Sequence, residues 1–217
     1  MKIYIVRHGE TEANRNGIFV GQLDYPLNEN GVRVAEVTGD EAKKLGWKFD
    51  VCYSSPLSRA RQTAELILSH SGNENVPIIT DDRIIELSVG DCEGSITRPG
   101  EETMDMELYR AYFRNPIPLP PFPNGESVKQ AMKRTADFLS DLVKKDCENV
   151  LISTHACAMR CMLNPYYEDR NDFWHGKVPL NCTFNVLEAD ENGNLKLTGD
   201  DLVIYDSSLI VDRYKLY

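Results

Sequence analysis

Short apolar runs alternate with stretches of helical periodicity along most of this chain, and that alternation constrains its fold more than any other feature. Residues 2–6 form a β-rich run that Arg7-His8-Gly9 ends abruptly. Over residues 31–45, Val34, Val37 and Ala42 recur at roughly helical spacing, with Gly46 as the C-terminal stop. Residues 50–53 read as a second strand. Ser54-Ser55-Pro56 then offers a capped helix start, and Ala60, Ala64, Ile67 and Leu68 supply one apolar face. Residues 76–79 are a third strand. After Asn124-Gly125, an amphipathic helix is marked by Val128, Met132, Thr135, Leu139, Leu142 and Val143. Residues 150–153 read as a buried strand, followed by Thr154-His155 and more helix. At the end, residues 184–187 and 195–197 flank Asp190-Glu191-Asn192-Gly193, a hairpin signal. Strands alternating with helices predict an α/β fold, a three-layer α/β/α sandwich. Its sheet is mostly parallel, with the late hairpin as an antiparallel edge.

The 217 residues suit one domain over 1–217, and a chain of this length buries ~70% of its unfolded surface without disulfide staples. The net charge of −10 excludes nucleic acid and anionic membrane as main partners. It does not exclude an anionic small molecule, because charges beyond ~8 Å are screened and local cations decide. The N-terminus holds only four apolar residues in a row, too few for a signal-peptide core, and no stretch approaches a membrane span. A cytoplasmic location is expected. There the six irregularly spaced cysteines are free thiols, and the Asn181-Cys182-Thr183 sequon is accidental. His155, Cys157 and Cys161 lack a second matched pair, so zinc is not expected. Residues 115–124 hold five of the eleven prolines and are neither helix nor interior strand. With a short helix over 101–113, they belong to an excursion at about 95–123. It is either a surface connector or a rim beside the active site.

Three strand ends collect unusual side chains. Arg7-His8-Gly9-Glu10-Thr11 and Asn14 follow the first, Ser55-Pro56-Leu57-Ser58-Arg59-Ala60-Arg61-Gln62-Thr63 the second, and Thr154-His155-Ala156 the strand at 150–153. Ligand sites in open α/β sheets lie beyond the carboxyl ends of strands, so these segments can converge. Two histidines and two arginines meeting there form a cationic pocket, and arginine's planar fork matches phosphate. Taken singly, Glu86, Glu93 and Glu126 read as surface acids and Arg61 as part of a solvated helix face.

The same segments, in the same order, resemble the signature of the histidine phosphatase superfamily and its phosphoglycerate mutase-like fold. Glu86-Leu87-Ser88-Val89-Gly90-Asp91-Cys92-Glu93-Gly94 is similar to that family's acid-bearing loop, and Asn124-Gly125-Glu126-Ser127 to the turn that opens a later helix. The resemblance implies that a neutral His8 is the nucleophile, its tautomer fixed by the Gly9 backbone. It places Arg7, Arg59 and His155 around the transferred phosphoryl group, where positioning and electrostatics carry most of the catalysis. Asn14 adds a neutral donor, and Gln22 is a further candidate for the pocket wall. Glu86, by motif position, is the general acid that protonates the leaving oxygen and later deprotonates water. Neither metal nor cofactor is called for.

Two departures bear on function. Ala156 follows His155 where the family most often has glycine, which brings a methyl group close to the phosphate. The segment after the acid loop lacks the tyrosine- and basic-rich stretch associated with phosphoglycerate mutases. The methyl group bears on rate or substrate fit, and the missing stretch favours a phosphatase acting on a small phosphorylated metabolite. A cofactor-dependent phosphoglycerate mutase is the alternative, and a non-catalytic regulatory module a third. Substrate identity and oligomeric state are not legible in the sequence.

Overall fold

The computed structural model describes residues 1–211, so residues 212–217 of the expected domain lie outside the described residues. In chain order the elements are β1 (Lys2–Arg7), α1 (Glu12–Arg15), β2 (Ile18–Phe19), α2 (Glu29–Lys44), β3 (Val51–Ser54), α3 (Ser58–His70), β4 (Ile78–Thr80) and β5 (Ser95–Ile96). They continue with α4 (Met106–Arg114), α5 (Val128–Leu142), β6 (Asn149–Thr154), α6 (Ala156–Leu163), β7 (Phe184–Ala189) and β8 (Leu195–Leu202). Six strands form one sheet in the order β4-β3-β6-β1-β7-β8. The first four are mutually parallel; β7 and β8 are antiparallel. This is the expected sandwich with its antiparallel edge.

Side-chain alternation on β1 divides the core. Ile3 and Ile5 pack with Phe138, Leu139 and Leu142 of α5 and with Met159 and Met162 of α6. Tyr4 and Val6 pack on the other face with Ala64, Ile67 and Leu68 of α3. Successive strand residues point to opposite faces, so one buried strand feeds both layers. Fully burying each such aliphatic side chain contributes roughly 1.5–3 kcal/mol.

Several boundaries differ from expectation for local reasons. Strand β4 starts at Ile78, because Pro77 has no N–H to pair; its carbonyl accepts from Cys52 N at 2.9 Å. Helix α4 starts at Met106, where Asp105 Oδ1 accepts from Glu107 N and Leu108 N. Ser54-Ser55-Pro56 does not cap α3. The N-cap residue is Leu57, which makes no side-chain cap bond. Asp24 Oδ1 instead accepts from Ser58 N at 2.9 Å and from Ser58 Oγ at 2.8 Å. The excursion contributes β5, which pairs with β2 as a two-stranded ribbon, and α4. Its prolines lie outside helix and strand, as expected.

Candidate active site

Strands β3, β6 and β1 end level with one another. Ser54 pairs with Ser153, and Arg7 with Thr154. Just beyond, Ser55 N donates to Ser153 O at 3.0 Å and His8 N to Thr154 O at 2.9 Å. Ser55, His155 and His8 therefore leave the sheet side by side. The loop after β1 is pinned tightly. Gly9 N donates to Thr63 Oγ1 at 2.9 Å, whose hydroxyl donates to Arg59 O at 2.7 Å. A Cβ on Gly31 would strike the Glu10 carbonyl, so only glycine lets α2 approach this loop. The buried Glu10 carboxylate accepts from Asn28 Nδ2 at 3.0 Å and Asn30 Nδ2 at 3.2 Å.

The His8 ring has its Nδ1 at 2.7 Å from the Gly9 carbonyl. A carbonyl can only accept, so Nδ1 carries the proton and the lone pair lies on Nε2. Burial, followed by Arg59 and Arg7, pushes the His8 pKa well below its ordinary value; the Gly9 bond opposes this. His8 is thus held neutral, the form whose Nε2 lone pair can act as a nucleophile. Its ring centroid lies 5.1 Å from that of His155.

His155 is wired differently from expectation. Arg59 Nε donates to its Nδ1 at 3.2 Å, and Ser55 Oγ lies 2.7 Å from its Nε2. A guanidinium only donates, so Nδ1 accepts, Nε2 carries the proton, and Ser55 accepts it. The ring is fully buried and stands behind the pocket wall as a neutral group bracing Arg59. Burial leads the strong lowering of its pKa, with Arg59, His8 and Arg7 adding to it. Since folding lowers its proton affinity, His155 contributes stability that is complete above its ordinary 6.5 and is lost as pH falls toward the depressed folded value. His155→Gln is therefore expected to flatten the drop in Tm between about pH 7 and about pH 5, a comparison made by thermal melts of both proteins at both pH values. An equal drop in both proteins would show that His155 carries none of it.

Arg59 is clamped by more than His155. Its Nη1 donates to Leu23 O at 2.9 Å and its Nη2 to Gly21 O at 2.7 Å. That loop is held in turn by Glu93, whose carboxylate accepts from Gly21 N at 2.9 Å, Gln22 N at 2.6 Å and Leu23 N at 3.3 Å. Glu93, which reads in the sequence as a surface acid, is a clasp for the arginine's seat. Glu93→Ala is expected to lower kcat/KM by about 10- to 100-fold through misplacement of Arg59, measured by steady-state kinetics. An unchanged value would show that the loop holds its shape without the clasp.

Glu86 is buried beside the start of α6. Its Oε1 accepts from Leu87 N at 2.8 Å and Ala158 N at 2.9 Å, and its Oε2 from Cys157 N at 3.2 Å. Burial raises its pKa despite these bonds and the nearby Arg59. Arg7 Nη1 donates to Pro179 O, and Asn181 Nδ2 to His8 O at 2.8 Å. The residues of the glycosylation-like sequon thus hold the first motif from beneath, a role the sequence does not signal. Asn14 Oδ1 accepts from Thr11 N in the capping box of α1. The end of its carboxamide that can meet an anion is then the Nδ2 donor.

These groups surround a pocket of about 420 Å³ lined by Arg7, His8, Asn14, Arg59, Glu86 and Ala156, among others. Ala156 does line this space. Gln22 does not: its Nε2 donates to Glu86 O at 2.9 Å, so it fastens the acid loop instead of walling the pocket. The excursion lines the pocket's outer part with Thr97, Arg98, Pro99, Tyr109, Tyr112 and Phe113. Among the described residues, no three His, Cys, Asp or Glu side chains are grouped to hold a metal. Chemically, the site offers a neutral imidazole, two guanidinium groups and a buried acid at one end of this pocket.

The model of the histidine phosphatase superfamily (branch 1) matches residues 3–201, and the chain belongs to that family. Phosphoserine phosphatase 1 of Hydrogenobacter thermophilus is 32% identical over 201 residues, covering 91% of this chain and 90% of that protein. The 2,3-bisphosphoglycerate-dependent phosphoglycerate mutase of Lachnoclostridium phytofermentans is 30% identical over 223 residues, covering 89% and 88%. The solved structure of Bacillus stearothermophilus YhfR superposes with a TM-score of 0.81 at 26% identity, covering 93% of this chain and 97% of that one. The phosphoglycerate mutase-like fold is the one expected, and phosphatases and mutases both occur among the relatives.

Proposed function

We propose that the protein is a metal-independent phosphatase that hydrolyses a small-molecule phosphomonoester through a phosphohistidine on His8. The observation that carries this is the Nδ1 bond of His8 to Gly9 O, which leaves Nε2 as the nucleophile in a pocket shared with Arg7, Arg59 and Glu86. In the first step His8 Nε2 attacks phosphorus and the ester P–O bond breaks. Protonated Glu86 gives its proton to the departing oxygen. Arg7 and Arg59 offset charge on the equatorial oxygens. In the second step the Glu86 carboxylate takes a proton from water, the water oxygen attacks phosphorus, and the N–P bond breaks. Inorganic phosphate leaves with His8 neutral again. His155 and Ser55 serve by bracing Arg59.

Hydrolysis is favoured over mutase action by the pocket's outer cations. Arg15 is paired with Glu10 at 3.4 Å and Glu12 at 3.3 Å, and Arg98 with Glu101 at 2.7 Å. A bisphosphorylated intermediate needs uncompensated positive charge away from the reacting phosphate, and these arginines are already offset by acids. A cytoplasmic location is supported by the six cysteines, all free thiols. The test is to supply phosphomonoesters and, separately, 3-phosphoglycerate primed with 2,3-bisphosphoglycerate. Net phosphate release is expected, whereas 2-phosphoglycerate formation without phosphate release would make the protein a mutase.

A further inference from the structure

The phosphate end of the pocket is polar, whereas its outer wall adds an aromatic cluster beside Thr97 and Arg98. Phe19 of β2 sits at the centre of an aromatic cluster, with ring centroids 5.4 Å from Tyr109, 5.6 Å from Tyr112 and 6.1 Å from Phe113. Phe113 in turn stacks on Trp174 at 5.5 Å with an interplanar angle of 24°. All five rings line the pocket. Phe19, Tyr112 and Trp174 are buried, whereas Tyr109 and Phe113 are half-buried. The buried members fix the outer two, which α4 carries.

The cluster is built and not incidental. Trp174 Nε1 donates to Tyr112 O at 3.0 Å, and Asn115 Nδ2 donates to Asn171 O at 2.9 Å. These bonds tie α4 to the segment before β7. Strand β5 and its partner β2 close the same wall, Ile96 pairing with Ile18 and Ser95 with Phe19. The excursion thus forms a fixed apolar rim beside the reacting phosphate. Arg15 and Arg98, the arginines that line the pocket besides Arg7 and Arg59, are ion-paired within the protein. A carboxylate or second phosphate reaching that far meets aromatic faces and arginines that already have acidic partners. A flat apolar group gains burial and ring contacts there.

From this juxtaposition we infer that the substrate is a phosphomonoester whose alcohol portion is bulky, apolar and ring-bearing. The inference rests on the placement of the phosphate in the site proposed above. The phosphoryl group sits among Arg7, His8 and Arg59, and the ring lies against Tyr109 and Phe113. About 420 Å³ lies within the range of pockets that enclose a ligand larger than a three-carbon acid.

Binding of non-hydrolysable phosphonates tests this without requiring turnover. The probes are (2-naphthyl)methylphosphonate, methylphosphonate and 3-phosphonopropionate, titrated calorimetrically into the full chain. The naphthyl compound is expected to bind about 10- to 100-fold more tightly than methylphosphonate, and the carboxylate-bearing compound to gain nothing over it. Phe113→Ala and Tyr109→Ala are each expected to lower the naphthyl-to-methyl affinity ratio by about 5-fold or more. Naphthyl and methyl compounds binding within about twofold of each other, or tighter binding of the carboxylate compound, would overturn the inference. Release of phosphate is read separately, so a protein that binds the naphthyl probe but hydrolyses nothing refutes the phosphatase proposal while leaving the ligand class standing.

Discussion

Replacing His8 with alanine is expected to reduce phosphate release by roughly 10⁴- to 10⁶-fold, the range over which loss of a nucleophile acts. The reason is that, among the described residues, no neighbouring group can take its place. His155 is buried with Nδ1 accepting from Arg59 and Nε2 beside Ser55, so its lone pair is not directed at phosphorus. Glu86 is fastened by three backbone N–H groups. The fold should survive, because the anchors of this segment are backbone bonds: His8 N to Thr154 O, and Gly9 N to Thr63 Oγ1. Circular dichroism and a thermal melt on His8→Ala check that second half. A variant that unfolds gives no information about the nucleophile, so His8→Gln, which keeps more of the ring's volume, is assayed beside it. Substantial residual turnover in a folded variant would refute the nucleophilic role.

The second large effect is expected for Glu86→Gln, and it depends on the substrate. An alkyl phosphate has a poorly stabilised leaving alkoxide and needs the proton that Glu86 supplies, so kcat should fall by about 10²- to 10⁴-fold. A nitrophenyl phosphate leaves readily without it and should lose far less. Equal losses would remove Glu86 from the acid role. The pH profile adds an independent reading. His8 must be neutral, and its lowered pKa puts the acid limb well below 6.5. Glu86 must be protonated, and burial carries its pKa above the ordinary 4.5, which puts the alkaline limb above that value. The profile for alkyl esters is therefore bell-shaped, and Glu86→Gln should abolish the alkaline limb while keeping the acid one.

Much of this was legible in the sequence because it is local. Strand β1 is an apolar run broken by Arg7, and α5 is an amphipathic repeat opened by a Ser127–Gln130 capping box. His8, Arg7, Arg59 and Glu86 stand in motifs that can be recognised without knowing what surrounds them. What escaped depends on partners distant in the chain. Asp24 caps α3 across 34 positions, and Glu93 clasps Gly21 across 72. Nothing near either residue announces it. Strands β2 and β5 are two residues each, too short for any period to show. His155 illustrates a different limit. Its motif marks it as part of the site, but its protonation follows from Arg59 and Ser55, which come together only when β3 and β6 are aligned. The same holds for Gln22, which neighbours the site in sequence yet spends its carboxamide on the Glu86 carbonyl.

The bulk charge of −10 and the cationic site are reconciled by burial. Arg7 and Arg59 are each 3% exposed, so water and salt screen them little, whereas exposed ion pairs such as Lys133–Asp137 contribute about 0.2–1 kcal/mol at most. The acidic surface and the phosphate site are electrically separate regions of one molecule.

Rapid quenching during turnover, followed by mass spectrometry under alkaline conditions that preserve phosphohistidine, tests the central claim most directly. The expected result is a phosphoryl group on the peptide bearing His8, formed and lost at rates that account for turnover, with its phosphorus recovered as inorganic phosphate. No label on His8 while phosphate is being released would contradict the account, as would a label that returns only to organic phosphate.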